Sequence, residues 1–263
     1  MTQWKTAGVA FVDVGPMRMY YDRRGPRDGE TLVLLHGGGG DVNDAVGGWA
    51  GLADRFAEHF DVVLPDHRGH GRTANPDGWM SFTQMGDDLN ALVEHLGAGA
   101  VHLAGISDGG VMVLDQAMRR PETVRSGVII GANYCVDDRT LGAAEGIDPD
   151  GIERDHPDVA ATFAARHDGG KYPGFWKDLI GQIIENNRVN PSWALDDLRS
   201  IACPMLLIAG EDAPFANVDQ MVAMRAEIPR AEWLIVNHAG HAVHAEHPEF
   251  VGARIIDFLL RHA

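Results

Sequence analysis

Gly105-Ile106-Ser107-Asp108-Gly109 sets a hydroxyl between two glycines, where the apolar run Val101–Ile106 gives way to a helical pattern. A serine on a sharp strand-to-helix turn has its Oγ exposed, and glycines two residues to either side remove the Cβ atoms that would clash. The helix that follows aims main-chain N–H groups and its positive dipole end at the same spot. The chemistry this suits is nucleophilic attack on an acyl carbon, for which the hydroxyl needs a base.

His241, in Asn237-His238-Ala239-Gly240-His241, is the expected base. It lies between the last apolar run, Trp233–Val236, and the last helical pattern, which brings it to the same sheet edge as Ser107. His238, His244 and His247 lie nearby, but no H-E-x-x-H pattern accompanies them, and no metal is expected. An imidazole base is steadied by a carboxylate. Asp212, after the run Met205–Ala209, is the expected acid, with Glu211 and Asp137 as alternatives. A developing oxyanion needs main-chain donors. His36-Gly37-Gly38-Gly39-Gly40 follows Thr31–Leu35, so the expected donors are the N–H groups of Asp108 and of Gly38 or Gly37. No Gly-Lys-Ser/Thr follows these glycines, so they are not a phosphate loop.

The elements that must hold these groups are legible as periodicity. Val9–Val14 and Met17–Tyr21 flank Gly15-Pro16 and read as an antiparallel hairpin. Thr31–Leu35, Val62–Leu64, Val101–Ile106, Gly127–Ile130, Met205–Ala209 and Trp233–Val236 are continuous apolar runs, as expected of parallel strands covered on both faces. Phe82, Met85, Leu89, Leu92, Val93 and Leu96 recur at helical spacing, and a further helix is expected before Pro121 and another from Pro248. The expected architecture is a mostly parallel central α/β sheet with helices on both faces. Residues 1–132 and 201–263 form its core, and 133–200 a helical cap inserted after the sixth strand. Tyr134, Phe163 and Trp176 are the expected aromatic pocket residues of that cap.

Taken together, these motifs resemble the α/β-hydrolase superfamily over nearly the whole chain, in the order nucleophile, acid, histidine. Asp66-His67-Arg68-Gly69-His70-Gly71-Arg72-Thr73 matches a turn common in that superfamily, here given a structural role. Gly105–Gly110, and Gly131–Tyr134 running on to Glu145–Ile147, are similar to the biphenyl-hydrolase-like serine esterases, the branch that includes valacyclovir hydrolase. That resemblance implies that Asp108 faces the ammonium of an amino-acid ester. One departure concerns the acid: relatives carry it three residues past the glycine, whereas Asp212 is two past Gly210.

The chain of 263 residues has 22 Lys+Arg against 38 Asp+Glu, a net charge of −16. Such a field repels nucleic acid and anionic lipid. The first fifteen residues lack a signal-peptide core and no apolar run spans a bilayer, so a cytoplasmic protein is expected. Cys135 and Cys203 suggest neither a disulfide scaffold nor zinc. From Tyr134 to Asp168 nine Asp or Glu face three Arg, which favours cationic or neutral substrates. The expected function is cofactor-independent hydrolysis of small carboxylic esters or lactones through an acyl-enzyme on Ser107. A carbon–carbon bond hydrolase of the meta-cleavage type on the same triad, and a non-catalytic ligand-binding homologue, are the alternatives. The expected partner is a small ester or lactone, with no nucleic acid or membrane; a second copy of the chain, as a homodimer, is compatible with the sequence.

Overall fold

A computed structural model describes residues 10–213 and 218–263. Val9 of the first expected run, and most of the fifteen N-terminal residues read for a signal peptide, lie outside the described residues.

The strands are β1 (Ala10–Val14), β2 (Met17–Arg24), β3 (Thr31–Leu35), β4 (Asp61–Pro65), β5 (Val101–Ile106), β6 (Val124–Ile130), β7 (Met205–Gly210) and β8 (Ala231–Val236). They form one sheet in the order β1-β2-β4-β3-β5-β6-β7-β8. β1 pairs antiparallel with β2, and β2 antiparallel with β4. From β4 to β8 every pairing is parallel, so these strands all deliver their carboxyl ends to one edge. The apolar runs follow from coverage on both faces. In β3, Val33 and Leu35 join the core on one side while Leu32 and Leu34 join the core on the other.

Helices α1 (Ala53–Phe56), α2 (Phe82–Leu96) and α3 (Asp108–Arg119) connect the first strands. The apolar face of α2 that the spacing predicts, Met85, Leu89, Leu92 and Val93, is buried against one side of the sheet with Met112, Val113 and Leu114 of α3. Ser81 Oγ caps α2 by accepting the Gln84 N–H at 3.2 Å, and Gly97 ends it in the left-handed region.

Between β6 and β7 the chain forms α4 (Asp138–Glu145), α5 (Pro149–Asp155), α6 (Pro157–His167) and α7 (Phe175–Asn187). This inserted segment leaves and rejoins the sheet side by side. Val136 N–H donates to Pro191 O at 3.1 Å, Trp193 N–H to Tyr134 O at 3.3 Å, and an isolated bridge joins Cys135 to Ser192. The remaining helices are α8 (Val218–Glu227), α9 (Val243–Glu246) and α10 (Pro248–Leu260). Ile255 and Phe258 of α10 pack with Phe56 of α1 on the second face.

Candidate active site

Ser107 sits where β5 turns into α3, with φ 54° and ψ −122°, a left-handed conformation that a side chain other than glycine adopts only under constraint. The constraint is visible. Ser107 N–H donates to Ile130 O of β6 at 2.8 Å, and Ser107 O accepts Val111 N–H at 3.0 Å. The flanking glycines are required by close approach. A Cβ on Gly105 would collide with the Gly109 carbonyl, and one on Gly109 with the Leu35 carbonyl of β3.

The glycine loop after β3 packs directly on the serine: a Cβ on Gly37 would lie 3.2 Å from Ser107 Cβ. Gly37 N–H itself donates to Gly47 O at 2.7 Å, which removes it from the expected oxyanion donors. Among the described residues, the N–H groups of Gly38 and Asp108 meet no acceptor. Of the three expected donors, these two are left without a protein acceptor.

Asp108 begins α3. Its carboxyl is buried, with Oδ1 accepting an N–H from the Asn187 side chain at 3.0 Å and Oδ2 close to Gly38. Burial pushes this carboxyl up to about 6 and the Asn187 hydrogen bond pulls it down.

His241 follows β8, and its ring lies against Gly131 at the end of β6, 2.9 Å from where a Cβ would stand. Ser107 and His241 both line one cavity of about 300 Å³, with Gly37, Gly38, Asp108 and Asn187 as its polar rim and Val46, Ile106, Ile147, Ile183 and Ala242 as its apolar wall. A smaller cavity beside it shares Ser107, Asp108 and Asn187 and adds Asn133 and Thr140. Burial, then the neighbouring His244 ring, lower His241 to about 4, while Glu246 acts in the opposite direction. His244 is itself buried, its Nε2–H donating to Gly48 O at 2.7 Å.

Asp212 stands at the end of β7 and abuts the histidine loop through its backbone, N–H to Ala239 O at 2.9 Å. Its carboxylate is exposed and makes no hydrogen bond among the described residues. Glu211 accepts the His238 N–H at 3.2 Å. Asp137 caps α4 and accepts from Gln220 at 2.8 Å. Glu246, which belongs to none of the sequence motifs, accepts the Gly240 N–H at 2.8 and 3.1 Å and so braces the turn that carries His241. Its signal was an acid five residues after the histidine.

The three aromatic candidates are placed elsewhere. Phe163 and Trp176 stack on each other, 5.6 Å apart and 10° from parallel, and Trp176 is buried. Tyr134 packs at the root of the insertion, its N–H donating to Gln220. Apolar wall residues come instead from Ile147 and Ile183. Aromatic residues at helical spacing found each other rather than the cavity.

The turn at 66–73 has the structural role expected of it. Asp66 is buried, accepting N–H groups from Val42 and Arg72 at 2.9 and 2.8 Å, and Arg68 pairs with Asp88 at 2.8 Å. Among the described residues no group of three or more His, Cys, Asp or Glu is placed to hold a metal ion, and no helix is long and apolar enough to cross a membrane.

A strained serine at a strand-to-helix turn, at the carboxyl edge of a mostly parallel sheet, defines a class. The chain belongs to the alpha/beta hydrolase family, whose model matches residues 32–254, and it is a hydrolase. It is similar to carboxylesterase YbfK of Bacillus subtilis, 27% identical, the match covering 89% of this chain and 82% of that one. It is also similar to 2-hydroxy-6-oxo-6-(2'-aminophenyl)hexa-2,4-dienoic acid hydrolase of Metapseudomonas resinovorans, 24% identical over 96% of this chain and 91% of that one. Among solved structures, the enol-lactonase of Burkholderia xenovorans LB400 superposes with a TM-score of 0.77 at 19% identity, covering 95% of this chain and all of that one, which speaks to the fold.

Proposed function

We propose that the protein is a serine hydrolase of small carboxylic esters or lactones, with residues 133–200 as the cap over its site. The observation that carries this reading is the shared cavity. Ser107, held in its strained turn, and His241 line the same space of about 300 Å³, a size suited to a small acyl group.

Ser107 Oγ attacks the acyl carbon while its proton passes to the His241 ring. The carbonyl oxygen, now anionic, is held by the N–H groups of Gly38 and Asp108. Collapse of the tetrahedral adduct breaks the acyl–oxygen bond, and His241 returns the proton to the leaving alkoxide. Water then attacks the acyl-enzyme, giving its proton to His241, and the carboxylic acid leaves as Ser107 regains its hydrogen. Asp212 is the acid assigned to steady the imidazolium, on the strength of its strand-end position and its backbone link to the histidine loop. Every group named belongs to the chain, and the cycle as written needs no cofactor.

The test is hydrolysis of 4-nitrophenyl acetate together with labelling by a fluorophosphonate probe. Turnover and labelling are expected in the native protein and lost in Ser107→Ala. A native protein that neither turns over esters nor takes the probe would favour a ligand-binding role. The likeness to the hexadienoic acid hydrolase supports a second reading on the same groups, carbon–carbon bond hydrolysis. Turnover of a vinylogous diketone in place of the ester would favour it.

A further inference from the structure

We infer that His167, on the inserted helix α6, is a positioning residue for this reaction: with His70 it holds Gly39 and thereby fixes where the neighbouring Gly38 N–H points. The inference rests on the serine hydrolase reading for the role of that N–H.

Three successive peptide planes after β3 are each held by a histidine. The first joins Gly37 C=O to Gly38 N–H. Its oxygen accepts from His36 Nδ1 at 2.8 Å and from Gly40 N–H at 3.1 Å. Because the peptide is planar and trans, fixing that oxygen fixes the opposed N–H. The second plane presents Gly39 N–H to His70 Nε2 at 3.1 Å. The third presents Gly39 O to His167 Nε2 at 2.9 Å. Gly39 itself has φ +72° and is roofed by Phe163 of α6, so the loop conformation is confined from outside as well.

The hydrogen bonds also fix the protons. His167 Nδ1 accepts Gly71 N–H at 2.9 Å, so its Nε2 carries the hydrogen that goes to Gly39 O. His70 Nε2 accepts, so its Nδ1–H donates to Arg68 O at 3.0 Å. His36 Nε2 accepts the His67 N–H at 3.1 Å, leaving Nδ1–H for Gly37 O. Each ring is neutral, and burial, which lowers His167 to about 4, keeps it so. Neighbours of His167 serve the same contact. Arg166 reaches Gly39 O at 3.3 Å and Asp44 at 2.7 Å, while Lys171 Nζ donates to Gly69 O, Gly71 O and His167 O between 2.9 and 3.1 Å. The end of α6 is therefore built onto the loop that presents Gly38, and the inserted helices shape the oxyanion donor besides covering the cavity.

The experiment compares His167→Phe, which keeps the ring contact with Phe163 and removes both nitrogens, with His167→Gln, which restores a donor and an acceptor. With 4-nitrophenyl acetate, His167→Phe should lower kcat tenfold or more with KM within threefold. Affinity for a trifluoromethyl ketone, which forms a tetrahedral adduct, should fall by the same factor as kcat/KM. His167→Gln should recover part of kcat. A folded His167→Phe with kcat within twofold of the native protein, or with only KM raised, overturns the inference. Histidine ¹⁵N NMR on the unaltered protein tests it independently of how the variants fold. His167 should be neutral with its proton on Nε2 at pH 7, and a charged ring or the other tautomer overturns it. Undiminished ester turnover in Ser107→Ala would sink the serine reading, a different failure.

Discussion

The side-chain N–H of Asn187, at the end of α7, donates to Asp108 Oδ1 at 3.0 Å and ties the inserted helices to the residue that follows the nucleophile. A cavity wall otherwise made of Val46, Ile106, Ile147 and Ile183 thus carries one carboxyl, placed beside the reacting serine. A carboxylate in that position attracts a substrate ammonium, and an asparagine does not. Asp108→Asn is therefore expected to lower kcat/KM for an α-amino ester at least tenfold relative to the same ester without the amino group. A panel of paired esters at pH 7.5 measures this. Equal losses on both members of each pair would show that Asp108 does not read the substrate's charge.

The acid can be apportioned by three substitutions. Asp212→Asn should cut kcat by a hundredfold or more while leaving Tm within a few degrees, because an exposed carboxylate contributes little to the fold. Glu211→Gln should leave kcat within threefold. Glu246→Gln, which weakens the brace on Gly240 N–H, should have an intermediate effect. If Glu246→Gln costs more than Asp212→Asn, the acid five residues after His241 is the one that matters.

What the sequence could disclose follows from what each residue's position depends on. The parallel strands were legible because strands buried on both faces must be apolar throughout, as β3, β5 and β7 are. Ser107 was legible because its turn demands glycines at 105 and 109, and His241 because it follows the last strand. Asp212 was harder. Its acidic neighbour Glu211 shares the same turn, and spacing within a loop does not fix direction. Asn187 and His167 left no signal. They reach the site from helices whose docking on the sheet is set by tertiary packing, and neither belongs to a repeating pattern. Phe163 and Trp176 misled for the same reason, since their partner across the insertion was each other.

The elbow should be intolerant of a single methyl group. In Gly105→Ala the added Cβ meets the Gly109 carbonyl, backbone against backbone, and no side chain can swing aside. Overpacking of this kind costs about 1–3 kcal/mol or more. Gly105→Ala is expected to lower Tm by several degrees and to lose fluorophosphonate labelling. Gly142→Ala, at an α4 site where a Cβ meets nothing within 4 Å, should do neither. Equal Tm values for the two variants would contradict the crowding at Ser107.

Acid should loosen the fold through its buried imidazoles. His67, His167 and His241 are lowered to about 4, and His36 and His70 well below the usual 6.5, in every case chiefly by burial. For a group whose folded pKa is depressed in this way, the unfolded chain binds more protons between about 6.5 and the folded value. Stability is therefore present above about pH 6.5 and is lost as pH falls through that window. Asp66 and Asp108, raised to about 6 by burial, act the other way. The folded chain takes up their protons first, which adds stability between about 6 and 4, and Asp41, Asp88 and Asp115 share that direction. The rings have the larger effect because each protonation of His36, His70 or His167 also destroys an acceptor for a main-chain N–H. The urea midpoint is thus expected to fall steadily from pH 7 to pH 4.5. In His167→Phe the slope over that range should be shallower by up to one proton. A midpoint that rises on acidification would show that the buried carboxyls outweigh the rings, and a slope unchanged in His167→Phe would show that this ring exchanges its proton freely in the folded chain.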